Sequence, residues 1–83
     1  MEICNLQSFL KYASEIDDLV KAAYVVSFYK ESIQLQGKFS GVLVKKYFEK
    51  ANMKIDQHTG YVEGVMPIVL DGHQINISIT LTE

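Results

Sequence analysis

Two Asp-x-His pairs, Asp56/His58 and Asp71/His73, are the residues of this 83-residue chain whose types could do chemistry together. Two carboxylates and two imidazoles make a sufficient donor set for a divalent transition metal. The spacing argues against it. Residues 61–82 read as a β-hairpin turned at Asp71-Gly72, so one pair sits at the open end and the other at the turn. About nine steps of ~3.3 Å place them roughly 30 Å apart, too far to share one ion. Each pair is read as turn chemistry, and no metal or other cofactor is expected.

Nucleophilic catalysis needs a Ser, Thr or Cys beside a base that a third group orients. Cys4 is the single cysteine and has no His near it in sequence. The chain contains no Gly-x-Ser-x-Gly, no phosphate-cradling glycine loop and no His-Glu-x-x-His. Asp17-Asp18 reads as the acidic first turn of a helix before it reads as a catalytic dyad. No catalytic residue is assigned, and the chain is read as a non-enzyme. One cysteine precludes an intramolecular disulfide, and with two histidines it argues against a structural zinc site.

Charge is spread unevenly under a net value of −2. Residues 37–54 carry Lys38, Lys45, Lys46, Lys50 and Lys54 against Glu49 alone, residues 55–83 carry only acids, and there is no arginine. Lys46, Lys50 and Lys54 would line up on a helix, and phosphate contacts are the functional reading of such a row. Without arginine there is no bidentate base readout, so nucleic acid is a possible but disfavoured partner and a solvated helix face the simpler reading. The longest charge-free apolar run, residues 22–29, is too short for a bilayer. No basic segment followed by an apolar one opens the chain, so a cytoplasmic protein without membrane contact is expected. Length and a 48% apolar composition fit one domain spanning residues 1–83.

The elements follow from periodicity. Leu6, Phe9, Leu10 and Ala13 have helical spacing, and Ser14 followed by Glu15, Asp17 and Asp18 reads either as a kink in one continuous helix or, the favoured reading, as a break that starts a second helix from about Glu15 to Gln34. That helix is apolar on most faces, with Tyr24 and Tyr29 read as packing residues. Gly37 ends it, Ser40 caps a third helix to about Ala51, and Asn52 takes the left-handed position. Beyond it, Ile75, Ile77, Ile79 and Leu81 alternate with Gln74, Asn76, Ser78, Thr80 and Thr82. A turn at Asp71-Gly72 pairs Leu70 with His73, Ile68 with Ile75, Met66 with Ile77 and Val62 with Leu81. The expected fold is α+β, three N-terminal helices packed on a C-terminal antiparallel hairpin.

Lys38-Phe39-Ser40-Gly41-Val42-Leu43-Val44-Lys45-Lys46-Tyr47-Phe48-Glu49-Lys50-Ala51, placed after a long apolar helix, resembles the middle helix of winged helix-turn-helix domains. The likeness covers about residues 15–52. It implies an alternative in which residues 57–66 are helical, a short wing surrounds Asp71-Gly72, and Lys38, Lys45, Lys46, Lys50 and Lys54 contact nucleic acid.

Pro67 has no N–H to offer and points its nitrogen outward in this register, which makes the first hairpin arm an outer edge. The second arm has no proline or lysine, and no charge before Glu83. Such a strand needs a cover. Glu2–Cys4 could supply one; otherwise a second copy or another protein pairs along Gln74, Asn76, Ser78, Thr80 and Thr82. The functional expectation is a small interaction module, of adaptor or inhibitor type, that uses this strand edge, with a homodimer as its simplest form.

Overall fold

The computed structural model describes residues 6–70 and 72–82. Its order is α1 (Leu6–Ala13), a 3₁₀ turn (Ser14–Ile16), α2 (Asp17–Ala22), β1 (Ala23–Phe28), β2 (Ser32–Lys38), α3 (Gly41–Tyr47), β3 (Lys54–Ile55), β4 (Val62–Leu70) and β5 (His73–Thr82). The strands form one mixed sheet in the order β1-β2-β5-β4-β3. The α+β class holds, but three helices packed on a hairpin do not.

Residues 15–34 are the reason. Helix stops at Ala22, and Ala23 is already extended at φ −74°, ψ 139°. The residues that follow, Tyr24-Val25-Val26-Ser27-Phe28, are aromatic and β-branched, stiff at χ1 and better packed on a pleated surface than in a helix. Tyr29 then donates its N–H to the Ser32 carbonyl (2.8 Å), closing a turn at Lys30-Glu31 into β2. In β2, Ile33, Leu35 and Gly37 are buried while Gln34, Gln36 and Lys38 are exposed, the period of a strand with one face on a core. Gly37 therefore ends no helix. The winged-helix arrangement expected as the alternative fails on the same ground: among the described residues no long helix precedes Lys38, and Val62–Met66 is strand.

The C-terminal hairpin has the expected register, with pairs Leu70–His73, Ile68–Ile75, Met66–Ile77 and Val62–Leu81. Gly72 takes φ +79°, as a tight turn requires; Asp71, its other half, lies outside the described residues. The free edge expected on β5 is closed. Strand β2 pairs with it in parallel, from Ser32–Asn76 to Lys38–Thr82. Glu2–Cys4, the segment expected to supply a cover, also lies outside the described residues.

One face of the sheet carries the core. Ile33, Leu35, Met66, Ile68, Ile75, Ile77, Ile79 and Leu81 meet Phe9, Ile16, Leu19, Leu43 and Tyr47 from the helical segments. Phe9 stacks edge-on against Phe28 at 5.7 Å. Ser40 caps α3, accepting from the Leu43 N–H (3.5 Å), but α3 ends at Tyr47 and not near Ala51. Asn52 has the expected positive φ of 48°. The chain here crosses close over β4: Val65 N–H donates to the Ala51 carbonyl (2.8 Å), and a Cβ on Gly64 would stand 2.5 Å from that oxygen. The outer strands are blunted in two ways. The β1 register slips between Ala23 and Val25, and Pro67 removes a donor from the uncovered part of β4.

Candidate binding face

The helices leave the second face of the sheet open, and its residues fall into cross-strand rows. One row reads Ser27, Gln34, Ser78, Val65; the next reads Val25, Gln36, Thr80, Glu63, Lys54. Neighbours within a row are about 4.8 Å apart, and rows are about 6.6 Å apart. Asn52 and Lys54, from the chain that passes along the outer side of β4, raise a wall beside it, while Ala51 and Met53 turn into the core. Between this wall and β2 lies an open basin of about 500 Å³, lined by Gln34, Gln36, Asn52, Lys54, Glu63, Val65, Ser78 and Thr80, with Gly64 at its floor.

Several polar side chains elsewhere are used internally. Asp56 accepts from the His58 and Thr59 N–H groups (2.8 and 3.2 Å), which is turn chemistry of the expected kind. Asp18 accepts from the Lys46 ammonium (2.6 Å), the Tyr47 hydroxyl (2.6 Å) and the Leu19 N–H (2.9 Å), tying α2 to α3. Burial alone would raise the Asp18 carboxyl, but these three donors together hold it below the usual carboxylate value. Burial and the adjacent Asp18 push the Tyr47 phenol well above its ordinary value. In the basin the opposite holds. Among the described residues, the side chains of Gln34, Gln36, Asn52, Lys54, Glu63, Ser78 and Thr80 make no hydrogen bond or ion pair with one another or with their surroundings. They present amides, hydroxyls, one ammonium and one carboxylate, and so both donors and acceptors.

The five β5 residues expected along a strand edge all lie on this face. Ser78 and Thr80 line the basin, and the Thr82 hydroxyl bonds to that of Tyr24, the extra residue at the β1 irregularity. Gln74 and Asn76 lie nearer the turn, outside the basin. The backbones of Asn76, Ser78 and Thr80 are paired on both sides, while Gln74 pairs only with β4 and Thr82 only with β2, so no continuous edge is left to offer. The five lysines do not share one surface. Lys38 and Lys54 belong to the sheet, whereas Lys45, Lys46 and Lys50 lie on α3 and the turn after it. The end of α3 at Tyr47 breaks the row expected of Lys46, Lys50 and Lys54.

Gln34, Gln36, Asn52 and Glu63 were not expected to take part. The signal for the two glutamines is the alternation Ile33-Gln34-Leu35-Gln36, which the longer apolar run before it obscures. Asn52 and Glu63 carry no comparable signal, because only the chain crossing brings them together.

No family model matches the chain, and the comparisons with curated proteins and with solved structures found no match either. The resemblance to winged helix-turn-helix domains therefore rests on the pattern of residues 38–51 alone. Among the described residues, no helix is long and apolar enough to cross a membrane.

Proposed function

We propose that this protein is a small non-enzymatic interaction module, of adaptor or inhibitor type, that recognises another protein through the open face of its sheet. The observation that carries the reading is the basin's unused hydrogen-bonding capacity. A face that merely met water would need no such arrangement of uncharged amides and hydroxyls; lysines and glutamates serve that purpose. Depletion of charge in the centre, direct hydrogen bonds and trapped water mark the core of non-obligate protein interfaces. The five strands, at about 4.8 Å between strands and ~3.3 Å per residue, give a face of roughly 540 Å², below the ~800 Å² per partner of a standard interface but within reach of a small one. Recognition through β5 thus uses its alternate side chains and not its edge.

Quantitative affinity purification from the native cells tests this, using the parent protein, a face variant (Gln36→Lys with Thr80→Lys) and a helix variant (Lys45→Glu with Lys50→Glu). A protein partner held by the parent and the helix variant but lost from the folded face variant is the expected result. Equal retention by the face variant overturns it.

A further inference from the structure

A second surface lies on the helical layer. A shallow groove of about 370 Å³ runs beside α3 and the turn after it, lined by Lys45, Lys46, Phe48, Glu49 and Lys50. Two of its cations are braced in advance. The Lys46 and Lys50 ammonium groups stand 5.3 and 6.0 Å from the centre of the Tyr47 ring, and Tyr47 is buried and bonded to Asp18. Cation–π contacts of this kind restrain long side chains before any ligand arrives. Lys46 is already neutralised by Asp18, while no described carboxylate pairs with Lys45 or Lys50. Between them lies Phe48, 49% exposed and belonging neither to the core nor to the residues packed against it. The fold gives this ring no structural task.

The wider charge distribution points the same way. Residues 37–54 carry five lysines and one glutamate, net +4, while the rest of the chain carries three lysines and nine acids, net −6. Three of those five lysines, Lys45, Lys46 and Lys50, lie on α3 and the turn after it, where they attract anionic partners.

We propose that this groove takes an acidic polypeptide segment, two carboxylates pairing with Lys45 and Lys50 and an apolar side chain between them resting on Phe48. The cation–ring–cation order selects this occupant. A phosphate backbone would set a dense row of anions against the Glu49 and Asp18 carboxylates that stand among the ammonium groups, and it has no use for an exposed apolar ring. No arginine offers it a bidentate contact. This surface is separate from the open sheet face, and either proposal stands if the other fails.

The test is a titration of the ¹⁵N-labelled protein with a synthetic peptide of about twelve residues repeating Glu-Glu-Leu, followed by amide shifts. Expected are shifts confined to residues 42–50, affinity falling roughly tenfold or more in Lys45→Gln/Lys50→Gln and about threefold in Phe48→Ala, and weakening with salt. All three substitutions are at exposed positions, and unchanged circular dichroism confirms that the variants fold. Unmoved amides over 42–50 overturn the proposal, as does full affinity in Phe48→Ala. Tighter binding of duplex DNA or of phosphatidylserine vesicles at the same residues also overturns it, in favour of nucleic acid or membrane.

Discussion

Gly64→Ala puts the crossing of residues 51–53 over β4 to a direct test. An added Cβ would stand 2.5 Å from the Ala51 carbonyl oxygen, 2.8 Å from Met53 Cγ and 3.1 Å from Ala51 Cβ. Ordinary contact needs about 3.5 Å, so the carbonyl must retreat by roughly 1 Å. That oxygen is the acceptor for the Val65 N–H at 2.8 Å, and Ala51 is fully buried, so the retreat also breaks a sheltered hydrogen bond. Overpacking costs about 1–3 kcal/mol and the lost bond about 0.5–1.5. Reduced freedom of the unfolded chain returns about 0.4–1 kcal/mol, leaving a net loss of about 0.5–4. With a urea m-value of about 1 kcal/mol/M for a chain of this size, the midpoint should fall by about 0.5–4 M at unchanged m. Hydrogen exchange at the Val65 amide should accelerate more than exchange in β5. Gly41→Ala is the control: nothing lies within 4 Å of its added Cβ, and stability should stay within about 0.5 kcal/mol. A Gly64→Ala protein as stable as its parent, with Val65 still protected, would refute the crossing and with it the basin's wall.

Two further predictions concern the tie between helices and the sheet's outer strand. Asp18 has a lowered carboxyl pKa in the fold, so its contribution is present above the unfolded value of about 3.9 and is lost as pH falls through the lower folded value. Asp18→Asn should cost about 1 kcal/mol near neutral pH, discounted for its partial exposure, and the difference from the parent should shrink on acidification; urea midpoints across pH 2–7 measure it. A difference constant with pH would contradict the carboxylate's role. Pro67→Val restores a donor on the uncovered stretch of β4 and should produce concentration-dependent association by sedimentation, whereas a variant that stays monomeric would show that this edge is blunted by something else.

The hairpin was legible because its two arms carry matched alternation and its turn a glycine that needs positive φ, all within local reach. The cap at Ser40 and the turn bonds of Asp56 were legible for the same reason. Residues 15–34 misled because an all-apolar stretch such as Ala22-Ala23-Tyr24-Val25-Val26 has no period, so a buried helix and a strand read alike. Its β-branched and aromatic content was the deciding cue, and the clean alternation of Ile33 to Lys38 confirmed where the strand had to be. The expected need for a cover on β5 was sound as physics; the cover came from β2, which no local pattern could assign as its parallel neighbour. The basin was illegible as a whole, because Gln36, Thr80, Glu63 and Lys54 meet only through pairings between four separate strands.

That central position of β5 governs the order in which the sheet can assemble. Ser32 must find Asn76, 44 positions later, before β1–β2 and β3–β4 become parts of one sheet. Until then the nascent chain holds two separate strand pairs, each with apolar residues that only the missing strand can shelter. Pairing across such a distance is slow relative to local structure. Burial of the core and creation of the basin therefore arrive together, once β5 has paired on both sides.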